Sequence, residues 1–347
     1  MSARSRPRRK ARRHWWTKLS DEELLDVRFC DLGLALDRSP LQRHLEQLYA
    51  ELERRGIAFR PHCWLGEEWF SPDGVPGFAL PFFLAHPRLR RLERRMLQEV
   101  EGGNRNWFMR ILRHEAGHAV DNAYRLRRRR QWRETFGPAS LPYPDSYRPR
   151  PGSRRYVQHL GSWYAQSHPT EDFAETFAVW LKPASRWRSD YRDWPALAKL
   201  EYVDALMAQI GPLPPPVRTR THIDSLAQDT RTLREHYARV LKRYAAPTRR
   251  EEDEYLERVF GYEPGPRRLR AATFLRRLRP KLHGALVARV GCSEYLVHQV
   301  MRAAIRRCSE LGLYVSGDRR RVARHAEWLL ARLVRASERS AGRRLTL

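Results

Sequence analysis

Residues 114–118 read His-Glu-Ala-Gly-His, so two histidines stand four positions apart and a glutamate directly follows the first. On an α-helix, positions i and i+4 lie on one face about one turn apart. Both imidazoles can therefore reach one metal ion, while the carboxylate of Glu115 faces a water on that ion. This is the H-E-x-x-H pattern of zinc hydrolases. The alternative is an exposed, charged helix whose histidines have no chemical role.

The sequence around this motif predicts a helix over about residues 104–126, with Asn104 as a candidate cap at its start. Apolar residues recur there at helical spacing, namely Phe108, Ile111, Leu112, Ala119, Val120 and Ala123. Gly117 conflicts mildly with a helix, because glycine costs about 1 kcal/mol relative to alanine. The missing side chain would let another backbone, or a substrate, approach closely.

A catalytic zinc site needs a third protein ligand and an open position for water. The long metzincin pattern is excluded, because Asp121 and Tyr124 replace the glycine and histidine that it requires. A better candidate lies at residues 167–178, which read Ser-His-Pro-Thr-Glu-Asp-Phe-Ala-Glu-Thr-Phe-Ala. Glu171 and Glu175 would share one helix face, where two carboxylates repel each other unless a cation lies beside them. The alternative is a solvated, acidic helix start.

The motif at 114–118, followed by Glu-Asp-Phe-Ala-Glu at 171–175, resembles the gluzincin group of metallopeptidases. More narrowly, it resembles the bacterial family named "putative zinc-binding metallopeptidase". The segments Phe-Cys-Asp-Leu-Gly-Leu at 29–34 and Gly-Phe-Ala-Leu-Pro at 77–81 also look like that family. The resemblance covers about residues 15–240. It implies a zincin-like catalytic domain that binds one Zn²⁺ ion.

The resemblance also implies roles for individual residues. His114, His118 and Glu171 would coordinate zinc, and Glu175 would accept a hydrogen bond from one of the two histidines, fixing its tautomer. The reversed assignment, with Glu175 as the ligand, stays open. Asp121 is a weaker candidate for supporting the ligands from behind, with solvation at the surface as its alternative.

The reaction that follows from these parts is hydrolysis of a peptide bond in a peptide or protein substrate. A zinc-activated water would attack the carbonyl, and Glu115 would act as the general base. The oxyanion that forms needs a further donor. Tyr164 is the first choice, and the alternatives are Tyr156, His159 and His168. For each of these four, a packed or solvent-exposed side chain without a chemical role is the competing interpretation.

The sequence predicts an α+β, mostly α-helical fold with a small β-sheet next to the H-E-x-x-H helix and a helical C-terminal region. The sheet is expected within residues 57–84, where it could align an extended substrate. A long Pro- and Arg-rich loop is expected at 131–160, where it could cover the cleft. Further helices are expected at about 40–55, 87–100, 171–182, 190–210, 222–244, 250–260, 269–278, 282–290, 293–308 and 319–338.

Breaks in composition suggest four parts. They are a basic flexible tail (1–15), the metallopeptidase domain (16–211), a helical connector region (217–262) and a basic helical C-terminal module (267–347). The Pro-rich segments at 211–216 and 262–266 separate the last three.

The chain carries 67 Lys and Arg against 40 Asp and Glu, a formal charge of +27. Such a surface favours nonspecific binding of nucleic acid. The alternative to an enzyme is therefore a basic, non-catalytic nucleic-acid- or protein-binding protein on a peptidase-like scaffold. No transmembrane segment is expected. The four cysteines contain no C-x-x-C pair, and no secretory signal is visible, so a cytoplasmic protein with reduced thiols is expected.

Overall fold

The computed structural model describes residues 14–97, 100–144, 147, 150, 152–161, 163–243, 250–263, 269–290 and 294–340. Most of the predicted basic tail lies outside these ranges. The fold is α+β and mostly helical, as predicted. Among the described residues, no helix combines the length and apolar character that crossing a bilayer requires.

The helices are α1 (Asp21–Leu25), α2 (Gln42–Arg54), α3 (Pro87–Leu97), α4 (Arg105–Tyr124), α5 (Arg130–Phe136), α6 (Pro169–Leu181), α7 (Trp187–Asp190), α8 (Ala196–Ile210), α9 (Leu233–Arg243), α10 (Arg250–Val259), α11 (Ala271–Val290), α12 (Glu294–Glu310) and α13 (Arg319–Ser340). Short 3₁₀ turns lie at Trp15–Lys18, Phe29–Leu32, Leu36–Arg38, Phe82–Ala85, Leu126–Arg128, Tyr164–Gln166 and Leu226–Gln228.

The ends of the two central helices follow from local chemistry. The Asn104 side chain accepts a hydrogen bond from the Trp107 amide and so caps the start of α4. Arg125 adopts a left-handed conformation and ends that helix. At the start of α6, the His168 side chain accepts a hydrogen bond from the Thr170 amide, and Pro169 occupies the first turn. Because both caps are intrinsic to the sequence, each helix begins at a fixed position relative to its metal-site residues.

The sheet consists of two parallel strands, β1 (His62–Gly66) and β2 (Gly77–Pro81), in the register His62 with Gly77. Ala79 of β2 also forms an isolated antiparallel bridge with Phe70 on its other side. β2 packs against α4, as the sequence predicted for the sheet and the H-E-x-x-H helix. The segment at Phe70 therefore forms one edge of the β-structure, and β1 forms the other.

Among the described residues, the hydrophobic side chains form two large cores and one small cluster of Trp64, Val75 and Ala79 beside the sheet. The first extends from Trp16 to Tyr237 and contains the apolar sides of α4 and α6. The second extends from Leu256 to Val334 and is built from α10 to α13. The predicted connector region, 217–262, contributes residues to both cores. The division into domains stays a prediction.

Three sequence predictions of local structure are wrong. Residues 131–136, the start of the long loop predicted at 131–160, belong to α5, where Trp132 and Phe136 are buried. The helix expected over 222–244 begins only at Leu233. The preceding residues Asp229 and Arg231 accept backbone hydrogen bonds from Cys30 and Phe29 instead of forming a helix. The two helices expected on either side of Pro280 are one helix, α11.

Replacing Glu93 of α3 by Gln should remove one source of pH-dependent stability. Glu93 is buried, and its carboxylate accepts a hydrogen bond from the Tyr237 hydroxyl (2.7 Å). Burial raises the pKa of Glu93 from 4.5 to about 8. Between pH 4.5 and about 8, Glu93 ionises in the unfolded chain but stays protonated in the folded protein. Rising pH therefore favours unfolding, and the free energy of unfolding falls by an amount on the order of 3–5 kcal/mol. We therefore expect Glu93→Gln to match wild type near pH 4.5 and to exceed it near pH 8 in urea unfolding.

The matched control is Glu51→Gln. Glu51 is also buried, but it accepts two hydrogen bonds from Arg113 (2.7 and 2.9 Å). Its replacement should destabilise the protein at both pH values, because Arg113 is left without its partner. A difference between Glu93→Gln and wild type that is the same at both pH values would contradict the raised pKa.

Candidate metal centre

Three potential ligand atoms converge between α4 and α6. The Nε2 atoms of His114 and His118 and the Oε2 atom of Glu171 lie 3.1 Å from one another. Ligands about 2.0–2.1 Å from a tetrahedral zinc ion are about 3.3 Å apart, so this donor set fits zinc with little adjustment. Within the described ranges, no other group of three His, Cys, Asp or Glu side chains could hold a metal ion.

A close contact between two helices brings these residues together. A Cβ atom on Gly117 would lie 2.9 Å from the Cα atom of Ala174 and 3.2 Å from its carbonyl oxygen. Gly117 stands between His114 and His118 on α4, and Ala174 stands between Glu171 and Glu175 on α6. The missing side chain therefore lets the histidine face of α4 approach the glutamate face of α6.

Glu175 lies behind the three ligand atoms. His114 Nδ1 donates a hydrogen bond to Glu175 Oε1 (2.9 Å), and the Leu160 amide donates to Glu175 Oε2 (2.8 Å). This bond orients the ring so that His114 Nε2 is the nitrogen that faces the ligand cluster. Of the two assignments that the sequence left open, the geometry favours Glu171 as the ligand, because its carboxylate is the one that contacts both Nε2 atoms.

The centre holds two buried carboxylates beside its two histidines. Burial alone would lower the pKa of His114, but its hydrogen bonds to Glu171 and Glu175 raise that pKa to about 10. Burial alone would raise the pKa of Glu171, but the two histidines bring it well below its usual value. Two buried carboxylates thus require positive charge beside them, and a divalent cation would supply it.

Glu115 is buried beside the centre and is bound by a residue that the sequence did not single out. The Ser71 hydroxyl donates a hydrogen bond to Glu115 Oε2 (2.6 Å). Ser71 directly follows Phe70, whose carbonyl oxygen accepts from the Ala79 amide of β2 (2.8 Å). The edge of the β-structure is therefore attached to the glutamate of the H-E-x-x-H motif.

The loop that carries Ser71 is held by the end of α4. Asn122 Nδ2 donates to the carbonyl oxygens of Pro72 and Val75, each at 3.0 Å, and Asn122 Oδ1 accepts from the Gly74 amide. Arg127 pairs with Asp73 in the same loop. These bonds fix the loop, and hence Ser71, relative to α4.

Asp121, predicted to support the ligands, is fully buried. Its carboxylate accepts hydrogen bonds from the backbone amide of Arg127 (2.9 Å) and from the Nε atom of the same residue (2.8 Å). The alternative of a solvated surface residue is wrong. Among the described residues, its hydrogen bonds go to Arg127 and to neither metal-site histidine. Any influence of Asp121 on the ligands stays a prediction.

Tyr164, the predicted oxyanion donor, lies in the centre. Its ring centroid is 5.6 Å from that of His114. Burial, together with the nearby carboxylates of Glu171 and Glu115, raises the pKa of Tyr164 well above its usual value. The phenol therefore stays protonated and able to donate a hydrogen bond.

Sequence reasoning missed a second tyrosine, Tyr143. Its hydroxyl donates to Glu171 Oε1 (2.8 Å), the oxygen that does not contact the histidines. The ring stacks on His168 at 3.9 Å, and His168 Nε2 donates to the Leu141 carbonyl oxygen (2.9 Å). The only available signal was its place in the long loop that was expected to cover the cleft.

The remaining candidates for the oxyanion donor have other contacts. The Tyr156 ring lies 4.3 Å below the Lys199 ammonium. His159 Nε2 donates to the Arg110 carbonyl oxygen (2.9 Å), and burial lowers the pKa of His159 to about 4. His168 caps α6 and holds the loop at Leu141. None of these four contacts is with His114, His118 or Glu171.

The chain was also compared with known proteins. Residues 89–189 match the sequence model of the family described as "putative zinc-binding metallo-peptidase". The match begins in α3 and ends in α7, so it includes both helices of the candidate metal centre, and the predicted resemblance to this metallopeptidase family is confirmed over this segment. No match was found among curated proteins or solved structures.

Replacing Gly117 by Ala should separate α4 from α6. The new methyl group would meet the backbone of Ala174, which cannot rotate away, so we expect a loss of about 1–3 kcal/mol in unfolding free energy. Zinc binding, measured by competition with a chromophoric chelator, should weaken as the ligands move apart.

Gly284→Ala in α11 is the control, because a Cβ atom there would enter open space. It should stabilise the protein by roughly 0.5–1 kcal/mol, as alanine does in an exposed helix. If both variants bind zinc and unfold alike, the close contact at Gly117 does not shape the metal centre.

Proposed function

We propose that the protein is a zinc-dependent metallopeptidase that hydrolyses peptide bonds. The observation that supports this most directly is the convergence of His114, His118 and Glu171 at 3.1 Å, with Glu175 behind and Glu115 beside them. The match to a zinc-binding metallopeptidase family supports the same class of reaction. In this proposal, His114, His118 and Glu171 hold one zinc ion.

When bound, zinc supplies a Lewis acid that polarises the substrate carbonyl and makes water more acidic. Glu115 acts as the general base: it takes a proton from the attacking water and passes it to the leaving amine. The amine leaves with that proton as the C–N bond breaks, so the carboxylate is regenerated. A purely structural scaffold would have no need for a buried carboxylate at this position.

Ser71 positions the general base. Its hydroxyl binds one oxygen of Glu115, which leaves the other oxygen free to receive the proton. Asn122 and Arg127 hold the loop, so the hydroxyl is oriented before the substrate arrives. Such preorganisation matters because a displacement of about 1 Å can lower the rate by about 10²-fold.

The two tyrosines have different roles in this proposal. Tyr164, protonated and close to Glu115 and Glu171, donates to the oxyanion as the carbonyl becomes tetrahedral. Tyr143 binds Glu171 Oε1 and so directs the ligand carboxylate to present Oε2 to the cation. Tyr143 is thus a positioning residue, whereas Tyr164 contacts the reacting group.

The substrate is a peptide or protein segment in an extended conformation. Phe70 forms the edge of the β-structure next to Ser71, and its side chain is 39% exposed. A substrate strand could pair with this edge through main-chain hydrogen bonds while its carbonyl reaches the metal centre. Tyr143, which is exposed and also binds Glu171, borders the centre as well.

Replacing Glu115 by Gln should abolish hydrolysis and leave zinc bound. The amide keeps the size of the side chain but cannot accept the water proton, so we expect kcat to fall by about 10²–10⁴-fold. The assay is cleavage of a peptide library, compared with and without chelator, together with zinc measured per chain.

Glu171→Gln is the companion variant, and it should lose zinc as well as activity because a ligand is weakened. Retained turnover in Glu115→Gln would disprove the proposed mechanism. Zinc bound without cleavage of any peptide by the wild type would instead favour a metal-stapled binding protein.

Replacing Tyr164 by Phe should lower kcat about 10²–10³-fold, with little change in KM, because the lost hydrogen bond acts mainly on the transition state. Tyr143→Phe should instead weaken zinc binding by about 10–100-fold, because it removes support from a ligand. Steady-state kinetics at saturating zinc and a chelator competition separate the two effects. The assignment is reversed if Tyr143→Phe lowers kcat at saturating zinc while Tyr164→Phe does not.

A further inference from the structure

The C-terminal helix α13 presents a basic stripe that has no part in the proposed hydrolysis. Positions 321, 324, 325, 328, 332 and 335 all lie within about 100° of one another around a helix with 3.6 residues per turn. They are Arg321, Arg324, His325, Trp328, Arg332 and Arg335, and all six side chains are exposed. Over 14 residues, this stripe is about 21 Å long.

The charges of the stripe are available to a partner. Within the described part of the chain, the guanidinium groups of Arg321, Arg324 and Arg335 form no ion pair. Glu327, next to Trp328, is already paired with Arg289. The surrounding segment 269–340 has 16 Lys and Arg against 5 Asp and Glu. The stripe therefore presents uncompensated positive charge along one side of the helix.

An aromatic ring lies at the centre of these charges. The Trp328 side chain is 52% exposed, although the opposite side of α13 is packed into the second core. The Arg332 guanidinium lies 5.7 Å from the Trp328 ring and 4.3 Å from the ring of Tyr255 on α10. Arg332 thus links the indole to the adjacent helix and restricts its orientation.

We propose that this stripe binds single-stranded nucleic acid, with arginines on the phosphates and a base stacked on Trp328. Arginine binds phosphate well, and an exposed indole offers a flat face to an unpaired base. In a duplex the faces of the bases are stacked on one another, so a duplex would contact only the arginines of the stripe and not the Trp328 ring. A membrane would require a broad apolar face, whereas this stripe has one aromatic residue among five basic positions.

The test uses the full chain and fluorescence anisotropy with a labelled oligothymidylate of about 20 nucleotides, which exceeds one typical binding site. Affinity is measured over a range of NaCl concentrations. The main variant replaces Arg321, Arg324 and Arg335 by Gln together. Because each phosphate contact contributes about 0.7 to the slope of log K against log salt, we expect the slope to become about 2 smaller in magnitude.

The matched control removes the same charge elsewhere, by replacing the exposed Arg43, Arg91 and Arg94 by Gln. It should keep the wild-type slope, since these residues lie on α2 and α3. Equal losses in both triple variants would overturn the proposal, because total charge would then explain the binding. Replacing the three α13 arginines by Lys should retain the slope and shows that the helix tolerates substitution.

Trp328→Ala isolates the stacking contact. We expect it to weaken oligothymidylate binding at least fivefold at constant salt slope, and to leave binding to a duplex of equal length unchanged. An unchanged affinity for the oligothymidylate would overturn the base-stacking assignment. Binding to vesicles of phosphatidylglycerol, without binding to the oligonucleotide, would identify a membrane contact and also overturn the proposal.

Discussion

The contact between Gly117 and Ala174 is the constraint on which the metal centre depends. Gly117 stands three positions after His114 and one before His118. Ala174 stands in the same way between Glu171 and Glu175, so the polar residues have the same spacing on both helices. Where the backbones touch, the His pair of α4 and the Glu pair of α6 must lie on opposite sides of one small space. A bulkier residue at position 117 would increase the distance between the helices, and four polar side chains would then lose their mutual contacts.

The close packing of α4 and α6 places two carboxylates where they are shielded from solvent. Glu171 and Glu175 are both buried, and neither is paired with an arginine or lysine through the contacts that define the centre. The histidines, the Tyr143 hydroxyl and the Leu160 amide are their hydrogen-bond partners, and a cation between the helices would add positive charge beside them. Binding of a divalent ion should therefore contribute to folding as well as to chemistry, since the ion compensates for a desolvation cost that protein groups alone meet only in part.

The helical part of the centre was predictable from the sequence, whereas its surroundings were not. Two residues four positions apart on a helix must share a face, so the ligand atoms of α4 and α6 follow from periodicity once the motifs are recognised. Ser71 and Tyr143 reach Glu115 and Glu171 from irregular segments, whose paths depend on tertiary contacts such as those of Asn122 and His168. The same limit explains the error at 222–232, where a helix was predicted: residues 226–228 form a 3₁₀ turn, and pairing of Asp229 and Arg231 with the chain at Phe29 and Cys30 holds the end of the segment extended.

The second hydrophobic core separates α13 from the residues of the proposed catalytic centre. All residues of the proposed catalytic centre belong to elements around the first core, whereas α13 is buried against α10, α11 and α12. A substitution on the exposed side of α13 touches none of the groups that hold the ligands, the base or the loop with Ser71. The proposed hydrolysis and the proposed binding by α13 therefore depend on separate sets of residues.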